Sequence, residues 1–243
     1  MSTDALPPSE RPDIDSLLSD LFGLNIRGAK TLGALFANPS SIFRSARIND
    51  WQLKYTPTMR LAFSVLTVFS LLSFFWASED GAMYQSLLHQ VQNGANGDLD
   101  EVTAKQTIDA VFTGYNFTYP FTYMILHSLI GAMIFIWGTG TSWVARIRLH
   151  FAVVSVGLSL AVASIIFIPF IEPANIAIYT IVGTLVGFAA YIVTYVRGMS
   201  LMYSGVRLWG RGVLLALIIT ITDLAIAIIA SLAGSIWARM IVP

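Results

Sequence analysis

From residue 59 onward the chain is a succession of apolar runs separated by short polar clusters. A helix of about 20 residues crosses the roughly 30 Å hydrocarbon core of a bilayer. Five runs reach that length, approximately 59–77, 117–137, 151–171, 175–196 and 212–238. None shows the alternation over about ten residues that barrel strands require, so backbone groups in lipid have to be satisfied inside helices. The pattern predicts an all-α protein, a polytopic helical membrane bundle with about five transmembrane helices over residues 59–243.

Residues 1–58 read as a cytoplasmic N-terminal segment with amphipathic helices, too short for a second globular domain. Ile14, Leu17, Leu18 and Leu21 recur at helical spacing among Asp13, Asp15, Ser19 and Asp20. After Asn38 and Pro39, a cap and a first-turn proline, Ile42, Phe43 and Ala46 share a face from which Arg44 and Arg47 turn away. Such a helix, with Trp51 and Tyr55 close behind it, lies either in the membrane interface or on the cytoplasmic ends of the bundle. The loop 78–116 is long enough to carry structure. Met83, Leu87, Leu88 and Val91 form one helical stripe, and Asp98 with Glu101 reads as a capping box opening a helix that carries Val102, Ile108, Val111 and Phe112. An outer helical hairpin is predicted.

Composition agrees with the membrane reading. Hydrophobic residues make up 56% of the 243 and charged ones only 12%, against about 25% in soluble domains. The formal net charge is zero, with no basic excess for nucleic acid. Cysteine is absent, which excludes disulfides, thiolate metal sites and cysteine nucleophiles. Twelve of the fourteen Lys and Arg residues fall before or at the start of the first run, between the second and third, or between the fourth and fifth. By the positive-inside rule this predicts a cytoplasmic N-terminus and an outer C-terminus. The N-terminal residues lack the basic and apolar regions of a secretory signal.

Two ionisable residues fall near mid-membrane, His127 in the second run and Asp223 in the fifth. A charge at that depth costs about 2.5 to 3.5 kcal/mol on insertion scales, so such groups face the bundle and find partners. Small residues accompany both: Gly131 and Gly138 follow His127, while Ala227, Ala230 and Gly234 follow Asp223. One expectation is that His127 and Asp223 meet as a proton-responsive pair, with Thr220 or Thr222 beside them. The plainer one is that each bonds to a nearby Ser, Thr, Tyr or backbone group and fixes helix register. Gly183 and Gly187 form a Gly-x-x-x-Gly face suited to close helix packing, internal or with another chain. Tyr115, Tyr119, Trp76, Trp137, Trp143, Tyr195, Trp209 and Trp237 lie near run ends and read as interfacial anchors. No phosphate loop, His-Glu-x-x-His or Gly-x-Ser-x-Gly pattern is present. His150 reads as too near the cytoplasmic edge to pair with His127 about a haem. Neither enzymatic activity nor a cofactor or metal is expected.

Leu35-Phe36-x-x-Pro39-x-x-x-Phe43-Arg44, leading into Tyr55, Pro57, Arg60-Leu61 and Phe74-Phe75, resembles the start of bacterial Yip-like membrane proteins. Met202-Tyr203-Ser204-Gly205-Val206-Arg207 is similar to that family's second recognisable loop. The resemblance implies a non-catalytic, five-span protein of the bacterial inner (cytoplasmic) membrane that acts by association, as an accessory, scaffold or membrane-organising subunit. Its partners would be the lipid bilayer and a membrane protein or a second copy of itself, with no nucleic acid. The alternatives are a small proton-linked transporter or channel centred on the Asp/His pair, and a subunit of a larger respiratory or transport complex. Transport requires a polar cavity that reaches Asp223, whereas association tolerates a dry bundle.

Overall fold

A computed structural model describes residues 26–51, 54–72, 75, 77–94, 100–138 and 140–242. These form α-helices and short 3-10 turns, with no strand among the described residues. The expected stripe at 14–21, Asp98 and Trp76 lie outside them. The helices are α1 (Ile26–Ala37), α2 (Pro39–Ile48), α3 (Thr58–Leu71), α4 (Ala82–Gly94), α5 (Glu101–Met133), α6 (Trp143–Ile165), α7 (Ile176–Met199) and α8 (Gly205–Ile241).

Three segments, Trp143–Ile165, Pro173–Met199 and Gly205–Ile241, are long and apolar enough to cross a membrane. The other two expected spans differ from the pattern. The first is a helix of only 14 residues, about 21 Å long, because regular helix ends at Leu71. The second expected span does not begin at residue 117. It is the continuation of a 33-residue helix that starts at Glu101 and passes through Pro120. The outer helix of the predicted hairpin and the second span are therefore one element. Its cap is Asp100, whose side chain accepts from the Thr103 N–H at 2.6 Å.

That helix also stops before the apolar run does. Ile134 to Trp137 are apolar but non-helical, and Gly138 and Gly140 adopt φ of 111° and 81°, where a side chain would be strained. The carbonyls of this turn are held by distant donors instead. Arg47 Nη2 donates to Trp137 O at 2.7 Å, while Tyr195 Oη and Arg211 Nη1 donate to Ile136 O at 3.0 and 3.2 Å. Trp137 and Tyr195 are fully buried, packed together and against Phe43, so neither is an interfacial anchor. Trp143, Trp209 and Trp237 are exposed.

At the same end of the bundle, α2 buries Ile42, Phe43 and Ala46 against α6 and α7. This is the second of the two placements its pattern allowed. Gly198 makes the contact possible, since a Cβ there would lie 2.5 Å from the Phe43 ring. Arg197 donates to Phe36 O and Ala37 O, satisfying carbonyls left over at the end of α1. At the other end, α4 lays Tyr84 and Leu88 on Ile108 and Phe112 of α5, a small separate core. Between the two ends, α5 and α8 form the most extensive helix pair. They cross at Gly114 and Gly234, where an added Cβ would strike the opposing backbone.

Candidate functional site

His127, on α5, is completely buried. Tyr115, Tyr119 and Tyr123 lead to it at four-residue spacing, with successive ring centroids 5.2, 5.7 and 4.3 Å apart. One turn further on is Gly131. A Cβ there would come within 3.0 Å of the His150 side chain, so the missing side chain lets α6 approach α5 at the depth of the imidazole. His150 Nε2 consequently lies 3.0 Å from His127 Nδ1. On the other side of the ring, His127 Nε2 is 3.0 Å from Asp223 Oδ1 on α8. The second carboxylate oxygen, Oδ2, accepts from the Tyr191 hydroxyl of α7 at 2.9 Å. Gly157 on α6 admits the Tyr191 ring, which a Cβ at that position would overlap.

Four helices thus contribute one side chain each to an unbroken row, His150, His127, Asp223 and Tyr191. Its internal chemistry follows from donor counting. With Asp223 ionised, both its oxygens accept, so His127 donates from Nε2 and its Nδ1 must accept. His150 then donates from Nε2, which leaves its Nδ1 as a bare lone pair. Among the described residues His150 Nδ1 has no hydrogen-bond partner, so in that arrangement its lone pair is an unused acceptor. One added proton, whether held by His150 or His127, puts a hydrogen on His150 Nδ1. If it then moves to Asp223 Oδ1, the His150–His127 and His127–Asp223 bonds reverse while Tyr191 still donates to Oδ2, and His150 returns to a single hydrogen, on Nδ1. The row can therefore pass one proton from His150 to Asp223 by reversal, after which the hydrogens of both imidazoles must return to Nε2 before the next passage.

The two ends differ in surroundings. His127 and His150 have no exposed surface, whereas the Asp223 side chain is 30% exposed. It opens on a cleft of about 630 Å³ between α6, α7 and α8. The cleft reaches Asp223, but its walls are mostly apolar, so it meets the expectation for a transport path in position and not in polarity.

His127 and Asp223 are brought together, and Thr220 lines the cleft with Asp223. Thr222 takes no part, because its hydroxyl donates to Ile218 O at 2.7 Å. Gly131 and Gly234 sit at close helix crossings. Gly138, expected to share their role, lies in the turn after α5. Gly183 and Gly187 pack against nothing, since a Cβ at either would find no atom within 4 Å, and they line the cleft instead. His150 is no edge residue. Its helix begins at Trp143, capped by Ser142, so Arg146 and Arg148 lie in the opening turns and His150 falls two turns in. The imidazoles of His127 and His150 do occupy one depth on different helices, yet they touch directly and leave no gap for a macrocycle. The three side chains His150, His127 and Asp223 form a line, and among the described residues no group of three or more His, Cys, Asp or Glu is arranged to hold a metal. Tyr191 was also missing from the sequence candidates. Its only signal is a polar group in an otherwise apolar run.

The described chain is thus an all-helical protein with three helices fit to cross a membrane and a buried polar row among its helices. No known protein family, curated protein or solved structure matches it.

Proposed function

We propose that this is an integral membrane protein of the bacterial inner membrane, five-spanning with its N-terminus inside, whose activity is proton-linked transport through the row His150–His127–Asp223–Tyr191. The observation that carries the reading is the row itself, continuous across four helices, with a lone nitrogen at one end and a cleft-facing carboxylate at the other. Polar side chains at this depth are costly and concentrate on ion and proton paths. A register-fixing role needs one hydrogen bond per residue; it does not need four residues whose tautomers form one directed series. Proton flux in liposomes under an imposed pH gradient tests the reading. The wild type is expected to pass protons, and Asp223→Asn and His150→Gln to lose at least tenfold while remaining monodisperse and helical. A wild type that passes none, or an Asp223→Asn variant that passes as many, would sink it.

A second reading, association with a partner or a second copy, is favoured by the outer half of α7, where Ile178, Ile181, Val182 and Leu185 are exposed and Gly183 and Gly187 are open. The Yip-like resemblance of residues 35–44 and 202–207 supports the same reading, and a subunit of a larger respiratory or transport complex would use such a face in the same way. Purification in mild detergent with a stoichiometric partner, unaffected by Asp223→Asn, is the result it predicts.

A further inference from the structure

The polar groups lining the cleft are of one kind. The hydroxyls of Tyr179, Thr180 and Thr184 donate to the carbonyls of Ser164, Ile176 and Thr180, and Ser164 donates to Ala161 O. Tyr191 donates to Asp223. Thr220 aside, each hydroxyl of the lining is therefore spent as a donor, and among the described residues no Lys or Arg reaches the cleft. What remains is acceptor capacity, above all at Asp223. A carboxylate has about four lone-pair positions, and here two of them serve His127 and Tyr191. The rest of its exposed surface faces the apolar walls. An anion would meet at most the Thr220 hydroxyl and would face the Asp223 carboxylate, and a neutral hydrocarbon would leave that carboxylate uncompensated.

The charge balance points the same way. The groups facing Asp223 are Tyr119, Tyr123 and His127 from α5, Tyr191 from α7 and, through His127, His150 from α6. α3 and α4 add only Phe69 and Met83 to the walls. With both imidazoles neutral the centre carries one net negative charge. A net charge in an apolar surrounding is costly even when hydrogen-bonded, so one positive charge is favoured beside it. It can be a proton on the row or a cation in the cleft.

From this geometry we infer that the cleft between α6, α7 and α8 binds a lipophilic monovalent organic cation against Asp223, in exchange for the proton held by the row. The inference rests on the proton-linked reading and names its substrate class. The exchange balances. As the cation seats, the carboxyl proton moves from Asp223 to His127 Nε2, the Nδ1 proton of His127 moves to His150 Nε2, and the Nδ1 proton of His150 passes to a water molecule that enters at that end. One positive charge arrives and one leaves. A volume of about 630 Å³ is that of an ordinary small-molecule site.

Binding of tetraphenylphosphonium and of its isosteric anion tetraphenylborate to the purified full chain, measured by equilibrium dialysis in mild detergent from pH 5.5 to 8.5, tests this. The phosphonium carries a fixed charge, so any pH dependence belongs to the protein. We expect one cation per chain, an affinity that rises up to tenfold per pH unit across the range where the row loses its proton, and one proton released per cation bound in weakly buffered solution. Tetraphenylborate is expected to bind at least fifty-fold more weakly. Asp223→Asn should lose cation binding, and Gly183→Leu, which places a side chain in open cleft space, should weaken it about tenfold without unfolding the protein. Equal binding of the two ions, or cation binding unchanged in both variants, would overturn the proposal and identify the cleft as a general apolar groove. Proton flux in liposomes combined with no cation binding in dialysis would overturn the cleft site and leave the relay reading standing. Cation binding without proton flux would sink the relay reading alone.

Discussion

Single glycines decide whether the central row forms. Gly131 and Gly157 are where α6 comes close enough for His150 to reach His127 and for Tyr191 to reach Asp223. Gly183 is the internal control, on a comparable helix with nothing near it. Gly131→Val is expected to destabilise the protein by about 1–3 kcal/mol, the usual cost of forcing extra carbon into a packed contact. Gly183→Ala should be neutral or stabilising by up to about 1 kcal/mol, because alanine favours helix over glycine. Thermal unfolding in detergent, followed by circular dichroism, measures both. A Gly131→Val protein as stable as the wild type would contradict the close crossing. The position of Gly131 one turn after His127 was legible in the sequence. That its partner is His150 was not, because spacing within one helix says nothing about which residue of another helix lies across from it.

At the scale of the element, α5 shows how a helix can be longer than its apolar run at one end and shorter at the other. It begins in polar sequence at Glu101 because Asp100 satisfies an N–H of its first turn. It ends at Met133 because the carbonyls beyond are claimed by Arg47, Tyr195 and Arg211. The bond from the Thr103 N–H holds the Asp100 carboxyl below the usual carboxylate range. Since the folded-state value is the lower one, the stabilisation is present in full above about pH 4 and is lost as pH falls through the folded-state value. Hydrogen exchange at Thr103 and Ala104, corrected for intrinsic rates, is expected to accelerate in Asp100→Ala and in the wild type below that range. Slow exchange in Asp100→Ala would show that packing against α4 alone holds the first turn. Capping chemistry was visible in the sequence here, two residues away from its true position, at Asp98 in place of Asp100. The helix stop was not, since its donors come from residues 47, 195 and 211.

Arginines gather at one end of the molecule, where Arg47, Arg197 and Arg211 converge from α2, α7 and α8. If that end is cytoplasmic, Ser200→Cys should resist a membrane-impermeant maleimide in intact spheroplasts and Gln90→Cys should react, with no background because the chain has no cysteine. The reverse pattern would invert the topology. The sequence by itself determined that the chain is helical, where most of its apolar segments lie, and which two ionisable groups sit deep among them, because hydropathy and periodicity are local properties. Only the tertiary structure decided that His150 and Tyr191 complete the row, that the Gly183 and Gly187 face borders a cleft, and that apolar residues 134–137 form a turn. Each of these depends on which atoms of distant helices come within about 3 Å, a quantity set by packing and absent from any window of the chain.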